Sequence, residues 1–341
     1  MPKKIVTLAL QGGGSHGAFT WGVLDRLLKD ERIDIEGISA ASAGAMNAVV
    51  FAHGYTAGGR EGARQALKDF WESVAKRAPL NFMPEGFSLP VTIESQASPN
   101  PALKTYLFLV RFFSPYQLNP FDHNPLRDIL SSQLDFERLR ADCRIKLFIA
   151  ATQVSTGTLR LFRTKQLTLD VLLASACVPT FHHPIEIEGE AYWDGALTAN
   201  PPIFPLLHQC AARDVMMVLV HPCRRPVIPT TVDEIRHRLA EISFSSAFFT
   251  ELQGLALAKR EAERGLFSLG RLERRLKRLN MHVIDSQELM SQLSALSNLN
   301  VHSSFIHALR DEGSSRAETW LEKNFQFIGV RSSFSLDRLL H

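Results

Sequence analysis

The spacing of apolar residues changes period several times along the chain, and each change marks an element. Ile5 to Leu10 is an unbroken apolar run that stops at glycine, the pattern of a central parallel strand covered on both faces. After the turn Gln11 to His16, apolar residues recur at helical spacing from Gly17 to Lys29, through Phe19, Val23, Leu24, Leu27 and Leu28. Ile35 to Ser39 predicts a second short strand, and Ala43 to Ala52 a buried helix. Strand, glycine turn, helix, strand, tight turn, helix is a βαβα opening to a parallel sheet. An amphipathic helix follows from Arg60 to Arg77, then a proline-rich stretch from Pro79 to Pro101 that reads as a long loop or lid. Leu103 to Phe113 is strongly apolar.

Ile145 to Val154 is a second buried strand, with Thr158 to Thr164 as its hairpin partner across Ser155-Thr156-Gly157. Leu169 to Cys177 predicts a short helix stopped by Pro179, and Val215 to Val220 a further central strand. From Val232 the pattern is helical almost to the end. The prolines at Pro226 and Pro229 mark the expected boundary between an α/β part, residues 1–225, and a helical C-terminal extension, residues 226–341.

Composition narrows the class. Of 341 residues, 45% are hydrophobic and 21% charged, which excludes a disordered chain. A net charge of +3 gives no ground for nucleic-acid binding. Cys143, Cys177, Cys210 and Cys223 have no CxxC spacing and fit reduced thiols. The six-residue run Ile5 to Leu10 after Lys3 and Lys4 is too short for a signal peptide, and no run of 18 apolar residues exists. The expected location is cytoplasmic, with any membrane contact peripheral.

The chemistry concentrates in three places. Gly12-Gly13-Gly14-Ser15-His16-Gly17 lies between a strand and a helix, where glycine lets backbone N–H groups approach an anion and the helix N-terminus favours negative charge. The stretch also satisfies the dinucleotide fingerprint G-x-G-x-x-G, but the second strand lacks the acidic residue at its end that would hold a ribose. An oxyanion hole is the better fit, with a nucleotide site and a plain structural turn as alternatives. At the end of the second strand, Ala40-x-Ser42-x-Gly44 approximates the G-x-S-x-G nucleophile elbow, with alanine for the first glycine. A helix-capping serine is the plain alternative. A serine nucleophile needs a base. His16, His53, His182, His183, His208 and His221 are available, none in a catalytic pattern; Asp194-Gly195 follows a hairpin-like stretch and by turn chemistry alone is a common turn.

Together these motifs resemble the patatin-like phospholipase family. The glycine-rich turn, the serine elbow and Asp194-Gly195-Ala196 stand in that family's order, with Ala174-Ser175-Ala176-Cys177-Val178-Pro179 and Asn200-Pro201-Pro202 also similar to it. The resemblance spans roughly residues 3 to 225 and departs at Ala40 and at His16, where many members carry a basic residue. It implies a three-layer α/β/α fold with a mainly parallel central sheet, plus the helical C-terminal extension. It also implies a Ser–Asp dyad: Ser42 as nucleophile, Asp194 as its base, and an oxyanion hole from Gly12, Gly13, Gly14 and Ser15. Ala40, Gly44, Gly17 and Gly195 would support the motifs, and neither metal nor cofactor is required. The expected function is lipid acyl hydrolysis of phospholipase A or lysophospholipase type, through an acyl-serine intermediate. Acyl transfer on the same dyad and a non-catalytic lipid-binding scaffold are the alternatives. Phospholipid or another acyl ester is the expected substrate. The Pro79–Pro101 loop with Leu103–Phe113 is one candidate acyl trough, a core helix being the other reading of the latter. Lys259 to Arg278 carries eight Lys/Arg against three Asp/Glu, either a solvated, internally paired helix face or a surface for anionic lipid.

Overall fold

The computed structural model describes residues 3–77, 105, 108–225, 227–265, 270–293 and 297–340. The Pro79–Pro101 loop and most of Leu103–Phe113 lie outside the described residues. Eight strands among those described form one sheet: β1 (Lys4–Leu10), β2 (Ile33–Ala40), β3 (Lys146–Gln153), β4 (Leu159–Arg163), β5 (Ile185–Ile187), β6 (Glu190–Asp194), β7 (Asp214–Val218) and β8 (Asn280–Ile284). The run β3-β2-β1-β7-β8 is parallel throughout, while β4, β5 and β6 are antiparallel additions. Among the helices are α1 (Gly17–Lys29), α2 (Ala43–Arg77), α3 (Leu169–Ser175), α4 (Val232–Arg264), α5 (Arg271–Lys277) and α6 (Ser303–Asn324). α2 breaks at Gly58 and Gly59, which separate the buried helix from the amphipathic one that the sequence predicts.

Alternation within the strands sorts side chains into two cores, because successive residues of a strand face opposite sides. Leu8, Leu10, Met216 and Val218 enter a large core with α1, α2, α3 and α6. Ala9, Val215 and Met217 face a second core with Phe248, Leu252 and Ala256 of α4. Two helical layers thus cover both faces of the sheet, as a mainly parallel sheet requires.

The chain after residue 226 is helical, as expected, with one exception. Asn280–Ile284 is a strand, and all five of its residues pair in parallel with Asp214–Val218. Its buried polar residues explain how such a segment enters a sheet. Asp214 Oδ1 accepts from His282 Nε2 at 3.0 Å, Asn280 Nδ2 at 3.1 Å and the Gly329 amide at 2.8 Å. α6 likewise joins the main core through Phe305, Ile306 and Leu309. Contacts of both elements cross the boundary expected near Pro226. Among the described residues, no helix is long and apolar enough to cross a membrane.

α1 and α6 meet backbone to backbone. A Cβ on Gly22 would lie 1.9 Å from the Arg310 carbonyl oxygen, and one on Gly313 would lie 2.0 Å from that of Phe19. Neither backbone can yield without separating the helices. Gly22→Ala and Gly313→Ala are each expected to destabilise the protein by about 1–3 kcal/mol, the range for overpacking. A lowered urea midpoint would show it; an unchanged midpoint in both would mean the helices are not this tightly apposed.

Candidate active site

β3 brings the candidate residues together. One edge of β3 pairs with β4 over Phe148 to Thr152. The opposite edge pairs with β2 as far as Ile149, matched to Ala40, and then with β6 from Ala151, matched to Asp194. β2 and β6 therefore run toward each other along the same edge of β3, their ends two positions apart, about 7 Å at the rise of a strand. Ser42 lies two residues beyond the end of β2, and Asp194 is the last residue of β6.

Ser42 sits at φ 53°, in the left-handed region that a non-glycine residue rarely adopts. That strain is the mark of a nucleophile elbow rather than of a helix cap, whose residue is ordinarily extended. Ser175 holds the elbow: both its carbonyl oxygen and its Oγ accept from the Ser42 amide at 3.1 Å. Gly44 passes under the end of β1, where a Cβ would come within 2.3 Å of the Leu10 carbonyl oxygen. Ala40 is fully buried in the main core, so its methyl group is accommodated where the G-x-S-x-G pattern has glycine.

Ser42 Oγ donates to Asp194 Oδ2 at 2.7 Å. Asp194 Oδ1 accepts from the Ala196 amide at 2.8 Å, which fixes the carboxylate plane. Its own backbone is pinned on both sides, the amide to the Cys177 carbonyl and the carbonyl to Thr152 Oγ1, each at 2.8 Å. Gly195 allows that turn to lie against Ala150, whose carbonyl oxygen would be 2.1 Å from a Cβ. Burial raises the Asp194 pKa to about 7, against the smaller opposing effects of the Ala196 amide and the Ser42 hydroxyl.

The glycine turn divides. The Gly12 amide donates to Asn200 Oδ1 at 2.7 Å and so is already committed. For the amides of Gly13, Gly14 and Ser15, no acceptor is found among the described residues. Gly14 takes φ 58° and packs against Asn298, Ser15 Oγ donates to the Ser297 carbonyl at 2.9 Å, and His16 Nε2 meets Ser297 Oγ at 2.8 Å. Gly17 opens α1, and its carbonyl accepts from Asn47 Nδ2 at 2.9 Å. His16 is buried, which lowers its pKa to about 3 and keeps it neutral. Of the six candidate histidines, none is hydrogen-bonded to Ser42 or Asp194 among the described contacts. The His221 ring lies against Gly13, His53 accepts from the Asp135 amide, and His183 stacks on Tyr116.

Sequence reasoning named Ser175 and Asn200 only as parts of similar stretches and did not name Ser297. Their roles are hydrogen bonds to partners far away in the chain. Gln11, whose Oε1 accepts from the Val220 and His221 amides at 2.8 and 2.9 Å, is a further residue of this kind. All four cysteines are free, and among the described residues no group of three or more His, Cys, Asp or Glu is placed to hold a metal.

A left-handed serine just beyond the end of a parallel strand is thus bonded to a buried aspartate on an α/β sheet. The family model described as patatin-like phospholipase matches residues 8–207, and the chain belongs to that family. It is similar to the cGAMP-activated phospholipase of Vibrio cholerae serotype O1, 25% identical over 236 residues that cover 61% of this chain and 58% of that protein. The match thus spans little more than half of the relative's length. Among solved structures, VipD from Legionella pneumophila aligns with 94% of this chain and 67% of its own at 15% identity and a TM-score of 0.45. The ExoU–SpcU complex from the type III secretion system of Pseudomonas aeruginosa aligns with 95% of this chain and 52% of its own, at 15% identity and a TM-score of 0.39.

A buried carboxyl group with a raised pKa has a stability signature. The native state holds the Asp194 proton more tightly than the unfolded chain, so its contribution to folding is intact at low pH. That contribution is lost as pH rises from 3.8 to about 7. Asp194→Asn is therefore expected to be more stable than the parent at pH 8, by on the order of 4 kcal/mol at most. The gap should close on acidification to about pH 4. Urea melts at the two pH values test this; a parent more stable than the variant at pH 8 would contradict it.

Proposed function

We propose that the protein is a lipid acyl hydrolase, a serine esterase of phospholipase A or lysophospholipase type that works through a Ser42–Asp194 dyad. The observation that carries this reading is the 2.7 Å hydrogen bond from the strained Ser42 to the desolvated Asp194 carboxylate. Family membership and a relative named as a phospholipase support phospholipid as the acyl donor.

Ser42 Oγ attacks the ester carbonyl carbon as its proton passes to Asp194 Oδ2. The amides of Gly13, Gly14 and Ser15 receive the oxyanion, a role in which each donor is worth roughly 100- to 1000-fold in rate. Collapse of the tetrahedral intermediate breaks the bond to the leaving alcohol, which takes the proton from Asp194. Water then attacks the acyl-serine and gives its proton to Asp194. The second intermediate releases the fatty acid and restores Ser42. Gly12 and Asn200 are positioning residues in this scheme: the Asn200 side chain spans Gly12, accepting from its amide at 2.7 Å and donating to its carbonyl at 3.4 Å.

Ser42→Ala and Asp194→Asn are each expected to lower hydrolysis of a p-nitrophenyl acyl ester by roughly a thousandfold or more, with folding retained. A fluorophosphonate probe is expected to label Ser42 in the parent and nothing in Ser42→Ala. Full activity in either variant would remove this mechanism. The parent's kcat/KM is expected to rise with pH and level off above about 7, because Asp194 must be ionised to accept the proton.

A further inference from the structure

α4 is inverted over its first third. Glu241 is turned inward, its side chain 10% exposed, and binds Arg225 Nη2 at 2.6 Å and Arg238 Nη1 at 3.0 Å. Arg225 in turn donates to the Ser291 carbonyl at 2.7 Å, which fastens the helix to the loops at this edge. Val232, Ile235, Leu239 and Ile242 face solvent, with exposures of 65%, 42%, 59% and 45%. At 100° per residue these four occupy an arc of about 80°, one continuous aliphatic stripe. A surface helix in water normally shows the opposite arrangement, with charge outside and aliphatic residues within.

The stripe lies at the edge of the sheet that carries the dyad. Phe244 packs on Ala41, Ala150 and Ala196, and its carbonyl accepts from Asn200 Nδ2 at 3.1 Å. From Phe244 the helix continues across the sheet toward α5, where Lys259 Nζ donates to the Leu276 carbonyl. The residues before Phe244 therefore extend over the catalytic edge for about 18 Å of helix. On the α3 side of the site, Phe121 is 93% and Phe112 67% exposed. That segment is tied to the elbow through Tyr116, which stacks on His183 at 4.1 Å, and through the hydrogen bond from Cys177 Sγ to the His183 carbonyl. Aliphatic and aromatic side chains thus flank the site on two sides.

The basic stretch Lys259 to Arg278 sits elsewhere. Arg275 donates to the Ala212 carbonyl, just ahead of β7, and so belongs to the edge where the parallel strands begin. Lys259, Arg260, Arg264 and Lys277 are held by Glu263, Asp337, Glu261 and Glu273. A lipid surface bound there would face away from Ser42.

The geometry points to the stripe Val232, Ile235, Leu239 and Ile242, with Phe112 and Phe121 opposite, as the surface that docks on a lipid bilayer. Its occupant is argued from position: aliphatic and aromatic side chains flank, on two sides, the edge of the sheet that carries Ser42, where an acyl ester in a bilayer would have to approach. In this the inference rests on the proposed lipid hydrolysis. Insertion of an apolar helix face at the headgroup–acyl boundary brings the dyad to its substrate.

The test separates docking from catalysis by using Ser42→Ala for binding. Ser42→Ala is expected to co-sediment with vesicles of equal parts phosphatidylcholine and phosphatidylglycerol. Adding Ile235→Glu and Leu239→Glu should weaken that binding by about tenfold or more. In the active protein the same two substitutions should reduce vesicle phospholipid hydrolysis to a similar extent and leave p-nitrophenyl butyrate hydrolysis unchanged. Phe121→Ser, on the other side of the site, gives an independent reading should the helix variant fail to fold. Vesicle binding that is absent, or equal in parent and variants, overturns the inference. So does a parent dimer that the helix substitutions convert to monomer, since the stripe would then cover a second copy. If the parent hydrolyses no ester but Ser42→Ala still docks through the stripe, the functional reading fails and the docking surface stands.

Discussion

The site depends on a single edge of one strand. β3 has two partners on that edge, parallel β2 up to Ile149 and antiparallel β6 from Ala151. Because these partners approach from opposite directions, the end of each is fixed against the same short piece of β3. The elbow serine follows the one and the aspartate ends the other. No flexible loop has to bring the two side chains together. The backbone ladder does it, and its hydrogen bonds are among the least negotiable interactions in a folded chain. Ser175, Thr152 and Cys177 add further ties to the backbones of Ser42 and Asp194.

The expense of this arrangement is electrostatic. Asp194 is 1% exposed and, among the described residues, has no ion-pair partner, so two hydrogen bonds are what those residues offer its ionised form. In the proposed mechanism, where this carboxylate accepts a proton near neutrality, that desolvation supplies the basicity that the fold loses in stability. The histidines about the glycine turn follow the same logic. Burial lowers the pKa of both His16 and His221, so the turn is flanked by neutral rings.

Much of this was legible before the fold was known. The strands β1, β3 and β7 are mainly apolar along their middles, as central parallel strands have to be. Ser42 and Asp194 carry local signatures, small residues around a tight turn in one case and a strand end followed by glycine in the other. β8 escaped notice because Asn280, Met281, His282, Val283 and Ile284 follow a long basic helical pattern and include two polar residues. Only the pairing of His282 and Asn280 with Asp214 makes them interior residues. The commitment of the Gly12 amide to Asn200 could not be read either, since it joins side chain to backbone across the sheet. Among glycines in one turn, sequence gives no means to tell a donor that is spent from one that is open.

The contact between α1 and α6 imposes an order on assembly. α1 ends at Lys29, but its contact face for α6 stays bare until Gly313 has been made, almost three hundred residues later. Ser297, which holds Ser15 and His16, is also a late residue. During synthesis the elbow and its aspartate are in place well before the segments that brace the glycine turn. The glycine turn can therefore take its final form only after residues 297 to 313 have been made, so it is the last part of the site to be fixed as the chain folds.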